Sequence, residues 1–211
     1  MVTLPESLDN QTLFDPYFLN KKAPVTKMTG LLDYACKFTG ENKNGILELR
    51  TKSTQIHKIL KYKPIDNCII AFSFTPENVS KLIEHKVPPV KKRIDTMKKL
   101  AENGWKIGLR FDPIIPACNF AKIYENLFKN IASNVPEENI HSISFGMMRF
   151  PKKMFKRMNK ENSNKRIFSL PFENRKGIYS YNKKLENKLE NIIINKLRKY
   201  MKNTPIYNCK I

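Results

Sequence analysis

The sequence predicts an α/β protein, an open partial (β/α) barrel of four to five parallel strands with a C-terminal hairpin and helix. Three observations carry that expectation. Short apolar runs alternate with amphipathic helical patterns through the middle of the chain. The run Cys68 to Phe74 is apolar nearly throughout, as a parallel strand covered on both faces should be. The units also fall short of the eight that close a barrel, so one side of the sheet stays open.

Taken in order, a short first strand is expected at Val2-Thr3-Leu4 and a helix over Thr26 to Phe38. Ile46 to Lys52 forms a strand entered through Asn44-Gly45, and Cys68 to Phe74 a second. Pro89 to Asn103 sets Val90, Ile94, Met97, Leu100 and Ala101 on one helical stripe. Its other face carries Lys91, Lys92, Arg93, Lys98 and Lys99, and Gly104 stops it. Lys106 to Asp112 and Ser142 to Arg149 are strands, separated by a helix over Asn119 to Ser133 built on Phe120, Ile123, Leu127 and Ile131. Arg166 to Leu170 and Gly177 to Tyr181 read as two arms of a hairpin outside the sheet. Leu185, Leu189, Ile192, Ile193 and Leu197 mark a long terminal helix. Residues 1–157 are thus expected to form the partial barrel, and 158–211 a hairpin and helix packed on the same domain.

Thirty-nine Lys and Arg face 19 Asp and Glu in 211 residues, a formal charge of +20. Such an excess favours a polyanionic partner, most simply nucleic acid. No apolar run approaches the ~18 residues of a membrane span, and Met1 to Glu6 is not a signal peptide, so a cytoplasmic protein is expected. The four cysteines, Cys36, Cys68, Cys118 and Cys209, contain no pair at metal-ligand spacing, and Cys36 and Cys68 read as small buried hydrophobes. Phosphate-cradling loops, dinucleotide fingerprints and nucleophile elbows are missing. His57, His85 and His141 are isolated; His57 suits a helix surface and His141 the entry to a strand.

In parallel α/β sheets, ligands meet residues at the carboxyl ends of strands. All four central strands end in polar groups there. Lys52 suits a carboxylate or phosphate, Ser73 can hydrogen-bond one, and Asp112 can accept from a ribose or amine. Arg149 ends the fourth strand, and Arg166, Arg175, Lys176, Tyr179 and Tyr181 lie in the hairpin. Cations mixed with aromatic rings suit phosphate contact with base stacking, although an ordinary solvated hairpin in a lysine-rich chain would look alike.

The runs ELRTKS (48–53), IIAFSFTPENV (69–79) and PPVKKRIDTMKKLAENGWKIGLRFDPIIP (88–116) resemble the spore photoproduct lyase family of radical S-adenosylmethionine proteins. The likeness covers roughly residues 7 to 150, and GIYSYNKKLENK (177–188) is similar to the family's hairpin and last helix. The resemblance implies a partial (β/α)6 barrel with a DNA-contacting hairpin. It also implies a [4Fe–4S] cluster held by Cys-x3-Cys-x2-Cys, which cleaves S-adenosylmethionine so that a 5′-deoxyadenosyl radical can abstract hydrogen from a thymine dimer lesion. Lys52 and Ser73 would match adenosylmethionine contacts, with Asp112 at the corresponding end of the next strand.

Two departures shape the functional expectation. The three-cysteine motif is absent, and residues 6–16 lack the cysteine that the spore enzymes place there as a hydrogen donor. The chain is therefore expected to be the C-terminal portion of a lyase-like DNA repair protein, inactive until completed by a cluster-bearing segment, such as a separate N-terminal fragment. A non-catalytic basic nucleic-acid-binding module is the alternative, and a small-molecule enzyme using the strand-end residues a third reading.

Overall fold

The structure, a computed structural model, describes residues 45–161 and 169–210. The expected strand at Val2-Thr3-Leu4, the helix over Thr26 to Phe38, Cys36 and Arg166 lie outside those residues.

Five strands form one parallel sheet. They are β1 (Leu47–Thr51), β2 (Cys68–Ser73), β3 (Lys106–Ile114), β4 (Ile140–Met147) and β8 (Ile206–Asn208), in that spatial order. Helices α1 (Glu77–Ile83), α2 (Val90–Glu102) and α3 (Phe120–Ala132) make the connections. The described strands do not close into a barrel.

Alternation along each strand separates two faces. Leu49 pairs with Ile70, Ile70 with Ile107, Leu109 with Ile143 and Phe111 with Phe145, and this apolar set enters the main core. The helices cover it: Ile94, Met97 and Leu100 from α2, and Tyr124, Leu127, Phe128 and Ile131 from α3, are buried. Phe128 meets Phe111 edge-on at 4.9 Å. The opposite face carries Glu48, Arg50, Ala71, Ser73, Arg110, Ser142 and Ser144, a mostly polar and largely buried set.

Several expectations need correction. The fourth strand stops at Met147, and Arg149 instead opens β5 (Arg149–Pro151) in a second, antiparallel sheet. That sheet has the order β5-β7-β6, with β6 at Phe172–Arg175 and β7 at Ile178–Tyr181. The first hairpin arm therefore lies inside the segment read as a turn. Lys176 and Gly177 take φ of 49° and 86°, so a two-residue primed turn, matched to strand twist, replaces the long loop suggested by Pro171.

Helix α4 (Lys152–Glu161) went unforeseen because only Phe155 and Met158 give it an apolar side. Strand β8 was too short to show a period. It completes the sheet, and a final helix, α5 (Lys183–Tyr200), packs on the core through Leu189, Ile193 and Leu197. Arg93, expected on the solvent face of α2, is fully buried. His57 is exposed in a turn rather than a helix, while His141 is the second residue of β4.

β8 caps the edge of β4 through Pro205 O, which accepts from Ile143 N at 2.9 Å, and through Cys209 N, which donates to Phe145 O at 2.8 Å. A chain ending at Thr204 should bare that edge, lose on the order of 2–4 kcal/mol in urea unfolding, and aggregate more readily. Unchanged stability and light scattering would show that β8 contributes no closure.

Candidate cofactor and nucleic-acid interface

Parallel strands deliver their last residues to one edge of the sheet. Lys52 directly follows β1, Ser73 ends β2, Asp112 lies in the last part of β3, and Cys209 follows β8. What organises this edge is a carboxylate that sequence reasoning missed. Glu84, just beyond α1, receives Lys52 Nζ at 2.7 Å and the Thr75 hydroxyl at 3.0 Å on Oε1. Its Oε2 receives the Ser80 hydroxyl and Arg93 Nη2, each at 2.7 Å. Arg93 Nη1 also donates to the Ser73 carbonyl at 2.9 Å, which ties the end of β2 to the same cluster.

Burial pushes the Glu84 carboxyl upward, but hydrogen bonds from Lys52 and Ser80 and the charges of Lys52 and Arg93 outweigh it and hold the group at about 2. All four donors are in use by one carboxylate, so Glu84 is a fixed negative charge. Lys52 is different. Its side chain keeps 34% of its exposure, and an ammonium paired once still has hydrogens to offer a ligand.

On the polar face of the sheet, Arg110 is the counterpart of Glu84. It is nearly fully buried, pairs with Glu48 through Nε at 3.0 Å and through Nη2, and donates to the Ser142 carbonyl at 2.9 Å and hydroxyl at 3.0 Å. Burial raises the Glu48 carboxyl, yet Arg110 and Arg50 together bring it below the ordinary value. His141 is pushed down by burial and then by the charges of Arg110 and Lys106, which favours its neutral form.

The third cluster joins the sheet to the hairpin. Arg149 Nη2 donates to Asp112 Oδ2 at 2.7 Å. Gly146 permits the approach: a Cβ there would stand 2.6 Å from Arg149 Nη1 and 3.1 Å from the Asp112 carboxylate. Behind this pair is a cavity of about 60 Å³ lined by Met147, Arg149, Arg175, Ser180, Glu186 and Cys209, among others. Arg175 is bound to Glu186, and the Ser180 hydroxyl reaches the same carboxylate oxygen at 2.7 Å. That hydrogen bond from Arg175 to Glu186 raises the already high value of the guanidinium.

The predicted residues therefore have different surroundings. Asp112 and Arg149 meet directly, whereas Lys52 and the Ser73 carbonyl are linked through Glu84 and Arg93. Lys176 is exposed at the hairpin turn. Tyr179 stacks on Phe155, with centroids 4.2 Å apart and planes 4° apart. Tyr181 is completely buried and donates its hydroxyl to Ile114 O at 3.3 Å. Its ring supports the hairpin from within. Glu84 and Arg93 escaped notice because each stands among lysines or a histidine in a stretch that reads as solvated; only Pro88-Pro89, which fixes the entry to α2, hinted at a constrained connection.

Among the described residues, Cys68 is buried in the core, Cys118 is exposed after β3, and no group of three His, Cys, Asp or Glu gathers to hold a metal ion. Those residues do not fit an iron–sulfur cluster. No described helix is long and apolar enough to cross a membrane.

Comparison with known proteins gives a consistent picture. The family model described as spore photoproduct lyase matches residues 4–208. Spore photoproduct lyase from Bacillus subtilis (strain 168) is 26% identical over 192 residues, which are 86% of this chain and 56% of that protein. The enzyme of the same name from Clostridium acetobutylicum is 25% identical over 129 residues, 61% of this chain and 38% of that protein. The chain thus spans about half the length of these curated relatives, or less. Among solved structures, a spore photoproduct lyase mutant with bound AdoMet and dinucleoside spore photoproduct superposes with a TM-score of 0.72 at 19% identity, covering 86% of this chain and 56% of that one. At that identity the likeness concerns the fold, the open parallel sheet with its hairpin and final helix.

The depressed value of Glu84 sets a pH dependence. A carboxyl held at about 2 when folded and near 4.5 when unfolded contributes stability fully above pH ~4.5 and loses it as pH falls towards 2. Glu84→Gln should cost about 3–5 kcal/mol at pH 7, because it leaves buried Arg93 without its counterion. In urea unfolding across pH, the gap between wild type and variant should narrow steadily below pH ~4.5. A gap that stays constant down to pH 2.5 would remove Glu84 from its organising role.

Proposed function

Because this chain belongs to the spore photoproduct lyase family, we propose that it is a lyase-like DNA repair protein that binds S-adenosylmethionine at the carboxyl edge of its sheet and DNA beside the hairpin. The observation that carries this reading is the convergence of Lys52, Ser73 and Asp112 on one edge, with Asp112 bonded to Arg149 at the root of the hairpin. A cofactor contact and a nucleic-acid contact thereby share one ion pair. The AdoMet and dinucleoside lesion named for the similar solved structure support the same pairing of ligands.

In this function Lys52 pairs with the amino-acid carboxylate of the ligand while Glu84 keeps the ammonium aimed at the edge. The Ser73 hydroxyl adds a hydrogen bond, and Asp112 accepts from a ribose hydroxyl or from the ligand's ammonium. Bound adenosylmethionine supplies the group from which a radical is made. The sequence holds no Cys-x3-Cys-x2-Cys, so on this reading a [4Fe–4S] cluster would be held by a segment outside this sequence, in the same polypeptide or a separate one. Arg149, Lys176 and Tyr179 form the hairpin side of the DNA site, with Arg175, held by Glu186, and buried Tyr181 shaping it from below. On this reading the protein acts in the cytoplasm.

A second reading, a module that binds nucleic acid without chemistry, draws on the basic surface alone and predicts no affinity for adenosylmethionine. Calorimetric titration, run well below the melting temperature of both proteins, separates the two. Lys52→Ala should weaken adenosylmethionine binding about 10- to 100-fold, the loss of one charge-assisted contact, and should also lower the melting temperature, because buried Glu84 loses the 2.7 Å hydrogen bond from Lys52. Equal affinities would retire Lys52 as a cofactor residue; no binding by wild type would favour the module.

A further inference from the structure

Helix α4 separates its side chains sharply. Lys152, Lys153, Lys156, Arg157 and Lys160 fall at i, i+1, i+4, i+5 and i+8, within about 140° of the helix circumference. All five are exposed, and the helix buries no residue completely. Its apolar side is spent inward. Phe155 packs on Phe150 at 6.0 Å, Phe172 at 5.1 Å and Tyr179 at 4.2 Å, and Met158 joins the same core.

What sets this stripe apart is its density on one helical face. Some lysines elsewhere have a carboxylate partner, as Lys98 has Glu102, Lys81 has Glu77, and Lys196 and Lys199 have Glu125, and others, such as Lys91 and Lys92 of α2, have none among the described residues. Among the described residues none of the five cations of α4 makes an ion pair. The one acid of the helix, Glu161, stands at its last position. The stripe also continues into the hairpin, because Lys152 N donates to Gly177 O at 2.9 Å and so sets the helix start against the turn that presents Lys176.

We propose that α4 and the hairpin turn form one cationic ridge that lies along the phosphate backbone of duplex DNA beyond the lesion itself. This rests on the DNA-binding reading above and deepens it. Eight helical steps of 1.5 Å make a stripe of about 12 Å, enough to follow three or four phosphates of one strand at ~3.4 Å of axial advance each. Lysines and a lone arginine read charge rather than base edges, so the ridge holds any duplex sequence. The aromatic contacts of Phe155 fix it against the hairpin, so that a duplex gripped by α4 is presented to the neighbouring strand-end residues in a set orientation. An anionic membrane is the weaker match. Surface insertion needs an apolar face, and of the apolar residues of α4 only Met154 is exposed.

The test is fluorescence anisotropy of the full chain with an undamaged 20-base-pair duplex between about 50 and 200 mM salt. Replacing Lys153, Lys156 and Arg157 together by Gln should lower the slope of log K against log salt by about 2 to 3, at ~0.9 per phosphate contact, and weaken binding at least ~10-fold at the low-salt end. The melting temperature should hold, since these side chains fill no core. Lys152→Gln with Lys160→Gln offers an independent pair and should lower the slope by up to about 2. If wild type binds the duplex and both variants match it in slope and affinity, the ridge is overturned while the DNA-binding reading stands. If wild type fails to bind duplex even at 50 mM salt, that reading falls and takes the ridge with it. Loss of binding to phosphatidylserine vesicles without any effect on duplex binding would overturn the ridge in favour of a membrane surface.

Discussion

Glu84 and Arg93 are opposite charges with almost no solvent between them and their surroundings, and the candidate site depends on how they are paired. A carboxylate and a guanidinium taken from water each lose several kcal/mol of hydration, which their attraction offsets only with good geometry and saturated hydrogen bonds. The geometry is good and the carboxylate is saturated, while one buried donor, Arg93 Nε, has no partner among the described residues. Glu84 accepts from Lys52, Thr75, Ser80 and Arg93, and Arg93 spends another donor on the Ser73 carbonyl. The cluster draws together the ends of β1 and β2, the end of α1 and the first turns of α2. Hydrophobic residues of equal volume would serve stability as well, but they would not leave a partly exposed ammonium at a defined place on the sheet edge.

The same economy of charge recurs twice. Arg110 with Glu48 spans the polar face of the central strands, and Asp112 with Arg149 joins the sheet to the hairpin. A closed barrel packs its interior with layers of aliphatic side chains. Here the face away from the helices is built from Glu48, Arg50, Ser73, Arg110, Ser142 and Ser144 instead, polar groups that are largely buried and satisfied by one another. The formal charge of +20 is thus unevenly used: buried arginines neutralise acids within the fold, and the unpaired lysines are left to the exterior.

Much of the scaffold was legible in the sequence because it rests on short-range patterns. The apolar run of β2 and the stripes of α2 and α3 each follow from one period, and the polar strand ends follow from the direction of a parallel sheet. What escaped were features set by contacts distant in sequence. Arg93 and Lys92 are neighbours in a basic run, yet only Arg93 meets Glu84 after the chain has turned through Pro88-Pro89. Three-residue β8 is a strand only because β4 offers it an edge, and α4 is a helix whose apolar side needs the hairpin to cover it. The two-residue turn at Lys176-Gly177 was hidden by the stronger punctuation of Pro171. Lys52, Ser73, Asp112 and Arg149 were readable as polar strand ends, whereas Glu84 and the inward turn of Arg93, which tie Lys52 to the end of β2, were not.

The central claim is that one edge of the sheet receives adenosylmethionine. Backbone amide NMR of the labelled chain during adenosylmethionine titration tests it residue by residue. The account predicts that signals of Lys52, Ser53, Ser73, Phe74, Thr75 and Asp112 shift together along one binding curve, while those at the opposite edge, Lys106 and Ile140, stay still. Shifts confined to that opposite edge, or no shifts at millimolar ligand, would contradict it.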